Sequence, residues 1–139
     1  MTQGISLDPR LAADSITIGK LALCEVRLQD DARFAWLVLV PQREGVTELF
    51  ELSAADRVAA MEEIAQVSAA LRAVTQCLKI NVGALGNIVR QLHIHIVARN
   101  EGDAAWPGPV WGAGTRISYD VAERSDLIAR LRSALALRG

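Results

Sequence analysis

Histidine is used only twice in these 139 residues, and both copies, His93 and His95, fall in one stretch, RQLHIHIVAR, Arg90 to Arg99. Other scarcities bound the problem further. Cysteine also occurs only twice, at Cys24 and Cys77. That pair makes no disulfide framework and its spacing matches no zinc pattern, so both are expected as reduced thiols of a cytoplasmic protein. No sign of charge dominates: the formal net charge is −1 and no basic stripe gathers anywhere. Sequence-independent binding to nucleic acid is therefore not expected, although a compact phosphate pocket needs only a few local donors. Apolar runs stay short of the roughly 18 residues that span a bilayer. The opening segment, MTQGISLDPRLAADS, lacks the basic start and apolar middle of a signal peptide. No membrane partner is expected.

What is present suits one domain over 1–139. Hydrophobic residues make up 51% and charged residues 22%, enough to bury a core. From Leu21, LALCEVRLQDD gives a weak strand signal ended by a turn at Asp30 to Arg33. FAWLVLVP, Phe34 to Pro41, is apolar throughout and rich in aromatic and β-branched residues, the mark of a strand covered on both faces; Pro41 ends it. Ser53 followed by Asp56 resembles a capping box opening a long helix over 54–78. Along it Val58, Met61, Ile64, Val67 or Ser68, Leu71, Val74 and Leu78 form a stripe expected to face the core. A short strand, a glycine-bearing turn and a longer strand follow through INVGALGNIVRQLHIHIVAR. NEGDAAWPGPVWGAG reads as an irregular loop. A C-terminal helix is expected to start near Ser125, with Leu127, Ile128, Leu131, Ala134 and Leu135 inward.

Side chains on a strand alternate between faces, so Leu92, Ile94 and Ile96 point one way while Gln91, His93, His95 and Val97 point the other. Three readings of the paired histidines stand open on this pattern. They decorate a solvated face; or they hold a metal, though no further histidine exists to complete the ligand set; or they do chemistry, since imidazole is both nucleophile and acid–base group near neutral pH. The preceding turn, NVGALGN, suits the third: Gly83 and Gly86 allow close backbone approach to a ligand, and Asn81 and Asn87 carry amide donors.

The order of an apolar strand ending in proline, a long amphipathic helix, Asn-x-Gly and a His-x-His strand, spanning about Leu21 to Trp111, resembles the histidine triad (HIT) superfamily. The family's pattern of three histidines alternating with apolar residues is read here as Gln91-Leu92-His93-Ile94-His95-Ile96-Val97, and its glycine turn as Gly86-Asn87-Ile88-Val89-Arg90. The resemblance implies an α+β fold with a mainly antiparallel sheet of about five strands, one long helix and a C-terminal helix, in a homodimer. It implies a hydrolase or transferase acting on the α-phosphorus of nucleotides, either nucleoside phosphoramidates or dinucleoside polyphosphates, through a nucleotidyl-histidine and without metal or cofactor. His93 falls at the nucleophile's position, His95 at the third histidine, and Gln91 where the first histidine is expected. Gly83, Asn81 and Asn87 fall beside the phosphate. Arg99 is a candidate phosphate contact, and Trp106 or Trp111 a candidate stacking residue. Three departures stand out: Gln91 cannot carry a titrating proton, Ile88 replaces a hydroxyl, and Glu44 brings a carboxylate where basic residues are usual. These leave two further readings, a non-catalytic nucleotide-binding module on the same fold and a metal-binding protein using His93 and His95.

Overall fold

A computed structural model describes residues 5–137. Helix α1 (Pro9–Asp14) leads into strand β1 (Ser15–Lys20), then β2 (Cys24–Gln29) and β3 (Trp36–Pro41). Helix α2 (Ala54–Thr75), strands β4 (Lys79–Gly83) and β5 (Ile94–Arg99), and helix α3 (Val121–Ala134) complete the α+β chain. The five strands form one sheet in the order β1-β2-β3-β5-β4, and every pairing is antiparallel.

The sheet is covered on both sides, which is why β3 is apolar at every position and buried at every position. Leu37 and Leu39 of β3 and Ile94 and Ile96 of β5 share one face with Val67 and Leu71 of α2 and Ile128 and Leu131 of α3. Trp36, Val38 and Val40, with Val97, share the other with Leu11 of α1 and Val110 of the long loop. Burial of such side chains contributes roughly 1.5–3 kcal/mol apiece.

Both long helices start with the expected kind of cap but differ in detail from the sequence reading. Ser53 caps α2 by accepting from the Asp56 amide at 3.1 Å. The helix then ends at Thr75, with Gln76 in the left-handed conformation at φ 55°. Its inward face matches the expected stripe in part: Val67 and Leu71 are buried and Ile64 and Val74 pack against the core. Ala60, Glu63, Val67, Ala70 and Leu71 are buried, whereas Val58 and Met61 are more than 60% exposed. The reason lies in Glu63. Its two carboxylate oxygens accept the backbone amides of Leu23 and Cys24, both at 2.8 Å, in the turn between β1 and β2. Those buried donors need an acceptor, and supplying it rotates the helix away from the apolar periodicity. Helix α3 begins earlier than expected, capped by Asp120 rather than Ser125, and turns Ile128, Leu131 and Leu135 inward while Ala134 stays exposed. The thiols of Cys24 and Cys77 are free and buried.

Candidate active site

His93 lies one residue before β5 and His95 lies within it, on the sheet face that carries Trp36 and Val97. Their rings meet edge to face with centroids 4.8 Å apart. Each ring has one nitrogen already committed. Nδ1 of His93 is 2.7 Å from the carbonyl oxygen of Gln91. A carbonyl only accepts, so Nδ1 carries the hydrogen and the lone pair of the neutral ring resides on Nε2. His95 is set the opposite way. The indole N–H of Trp36 donates to its Nδ1 at 2.9 Å, and an indole only donates, so the hydrogen of neutral His95 sits on Nε2. Burial, followed by the charge of neighbouring His93, lowers the His95 pKa from 6.5 to about 4. His95 is thus a neutral donor, beside a His93 whose hydrogen on Nδ1 leaves Nε2 facing away from the Gln91 carbonyl.

A cavity of about 330 Å³ opens over them, walled by Trp36, Trp111, both histidines and the turn of residues 85–89. The turn bends through Gly86 at φ +73°. Gly83 pairs with His95 across the sheet, and its bare Cα makes room for Trp111: a Cβ there would stand 3.0 Å from the indole ring. Trp111 then lies 5.4 Å from the His95 ring and 6.3 Å from Trp36. A second cavity of about 270 Å³ shares His93, Leu85 and Gly86 with the first and continues toward Thr47–Phe50 and Gln91.

Of the residues singled out in the sequence, His93, His95, Gly86, Asn87 and Ile88 meet at the first cavity. Four others do not. Arg99 is 1% exposed, and its guanidinium donates to both oxygens of Asp103, to Oδ1 of Asn81 and to the Gly108 carbonyl at 2.8–3.0 Å. With these four hydrogen bonds made and Phe34 and Trp106 against its faces, it ties the loop after β5 to the sheet. Asn81 accepts from that same guanidinium through Oδ1, and Trp106 lies against its face. Gln91 turns its amide away from the histidines: Oε1 accepts from the Asp8 amide at 2.7 Å and Nε2 donates to the Ser6 carbonyl at 3.0 Å. Glu44 is exposed and lines neither cavity.

Sequence reasoning missed Trp36. A tryptophan opening a strand covered on both faces must find a partner for its N–H, and that requirement was the available signal. Among the described residues, no group of three or more histidine, cysteine or acidic side chains is arranged to hold a metal. Among the same residues, no helix is long and apolar enough to cross a membrane.

The HIT domain model matches residues 10–102. A solved histidine triad protein from Sinorhizobium meliloti is 49% identical, with a TM-score of 0.91 over 93% of this chain and 96% of that one. One from Bradyrhizobium japonicum is 44% identical, with a TM-score of 0.93 over 96% and 99%. A third, from Marinobacter aquaeolei, is 36% identical, also at 0.93, over 96% and 98%. None of the curated proteins matches the sequence. With a family model over most of its length and relatives this similar across nearly all of it, the chain belongs to the histidine triad (HIT) family.

Proposed function

We propose that the protein is a nucleotide hydrolase or transferase in which Nε2 of His93 attacks the α-phosphorus. The observation that carries this reading is the 2.7 Å contact between His93 Nδ1 and the Gln91 carbonyl. It fixes the tautomer with a free lone pair on Nε2, beside a second ring whose Nε2 bears a hydrogen. In the first step a bond forms from Nε2 to phosphorus, and the bond from phosphorus to the leaving group breaks. The leaving group departs with that electron pair and takes a proton from solvent. In the second, water or another acceptor attacks the same phosphorus, loses a proton, and the P–N bond returns its electrons to His93. His95 and the amide of Asn87 offer donors to the phosphoryl oxygens in both steps.

Incubation with adenosine 5′-phosphoramidate followed by acid-free quenching and mass spectrometry tests this. Adenylate on His93 and release of adenosine monophosphate are expected, and His93→Ala should lower kcat by several powers of ten, because no other nucleophile stands in the cavity. Binding of the intact compound without turnover would replace this reading with that of a nucleotide-binding module. We also propose a second copy of the chain as partner, supported by the exposed Val58 and Met61 on α2 and Leu78 and Val82 at the β4 edge of the sheet. Sedimentation should show a dimer that Met61→Glu dissociates; a monomeric parent protein would refute it.

A further inference from the structure

The Trp36 indole has little freedom to turn. The residue is 7% exposed, its ring meets Phe34 and Trp111 edge to face at 6.2 and 6.3 Å, and Val97 is its partner across the β3–β5 ladder. Held this way, its N–H points at Nδ1 of His95, 2.9 Å distant. An indole donates, never accepts, and carries no titrating proton. Protonation of His95 at Nδ1 would set two hydrogens against each other across that contact. The other neutral tautomer meets the same obstacle. One bond therefore disfavours both remaining forms of the ring.

The rest of the surroundings offers a charged His95 no support. Val38 stands opposite it on β3 and Gly83 on β4, and Trp111 lies against it from the loop. The turn of residues 85–89 brings aliphatic side chains, a glycine and the Asn87 amide to the cavity. His93 is the one titratable side chain among these neighbours, with ring centroids 4.8 Å apart. Farther along the same strand, Arg99 is paired with Asp103.

The proposed reaction makes that neutrality matter. When Nε2 of His93 bonds to phosphorus, Nδ1 keeps its hydrogen toward the Gln91 carbonyl, so the His93 ring becomes cationic. A second positive ring in edge contact would oppose the step. A His95 ring with its lone pair toward the phosphoryl oxygens would repel them where a hydrogen bond is needed. We propose that Trp36 is a positioning residue whose indole N–H holds His95 in the one uncharged form that donates from Nε2 throughout the reaction, a role that rests on the attack by His93.

Two replacements test this. Trp36→Phe removes the donor together with part of the packing. Benzothienylalanine at the same position keeps the bicyclic shape and puts sulfur in place of the N–H, which separates the hydrogen bond from the packing. Nitrogen NMR of the parent protein should show the His95 ring in a single form with its hydrogen on Nε2. In the benzothienyl protein both neutral tautomers should appear, and the His95 titration should move to higher pH. Its kcat for adenosine 5′-phosphoramidate at neutral pH should fall roughly tenfold with KM little changed, and the acid limb of kcat should move up with the His95 titration. If that protein keeps the single Nε2–H form, or retains the parent kcat and pH profile, Trp36 only fills space and the proposal is overturned while the nucleophile stands. A loss of activity confined to Trp36→Phe would likewise assign Trp36 to packing alone. If the parent protein places no adenylate on His93, the reaction is refuted and this role falls with it.

Discussion

Acidification should destabilise this protein through His95. The folded ring takes a proton only near pH 4, against 6.5 for an ordinary histidine. Between those values the unfolded chain binds a proton that the folded chain refuses, so stability rises with pH across the window and falls as pH drops through it. At about 1.36 kcal/mol for each pH unit, the full loss is about 3 kcal/mol, with most of it reached by pH 4.5. His95 is 8% exposed, so solvent screening removes little of this. Asp8, Asp31, Glu51 and Asp103 are all held below the ordinary carboxylate range by their hydrogen bonds. Their stabilisation is present above that range and is lost only at lower pH, which leaves the window from 7.5 to 4.5 mainly to histidine. The assay is urea unfolding across that window for the parent and for His95→Asn. The asparagine Oδ1 can still accept from Trp36 but takes no proton. The parent should lose about 2–3 kcal/mol more than the variant between pH 7.5 and 4.5. Parallel losses in the two proteins, or an NMR titration of the His95 ring centred near 6.5, would refute the assignment of a neutral donor.

Two further outcomes follow from buried hydrogen bonds. Glu63→Leu leaves the amides of Leu23 and Cys24 without an acceptor and should destabilise by about 1–3 kcal/mol for each orphaned group; thermal unfolding measures the total, and a loss under 1 kcal/mol would show that the contacts are replaceable. Gln91→Ala frees both the Asp8 amide and the Ser6 carbonyl, at about 1 kcal/mol apiece. Hydrogen exchange at Asp8 should accelerate while exchange at Ile96, deep in the sheet, stays slow; unchanged protection at Asp8 would show that the amide is not what holds the segment.

The fold was largely legible because its strongest signals are periodic or abrupt. Trp36–Pro41 is apolar without interruption, Pro41 stops it, and Ser53 opens the long helix. The strand Ser15–Lys20 escaped notice, since Ile16 and Ile18 alone alternate there and Gly19 breaks the pattern. The face of α2 was read correctly at Val67 and Leu71 but not at Val58 and Met61, for a different reason. Apolar periodicity ranks Val58 and Met61 above a glutamate, and only the turn at Leu23, forty residues away in sequence, explains why Glu63 goes inward. Non-local demands of this kind leave no local trace. The same holds for Arg99: a cation after a His-x-His strand suggests an anion, and nothing in the sequence reveals that Asp103 folds back to take it.

The histidines themselves were legible by position, but their roles come from what holds each ring. Here the glutamine at 91 separates two tasks. Its backbone carbonyl orients His93, and any residue at that position would supply the same carbonyl. Its side chain, by contrast, must donate to Ser6 and accept from Asp8 at once. A primary amide does both at every pH, whereas an imidazole loses its acceptor on protonation. The departure from the expected histidine therefore leaves the His93 tautomer untouched and acts on the wall formed by residues 6–8. Under the proposed reaction, a glutamine at 91 delivers no proton, so the leaving group draws its proton from solvent, and both cavities beside His93 open past exposed side chains, Phe50 at one and Ile88 at the other.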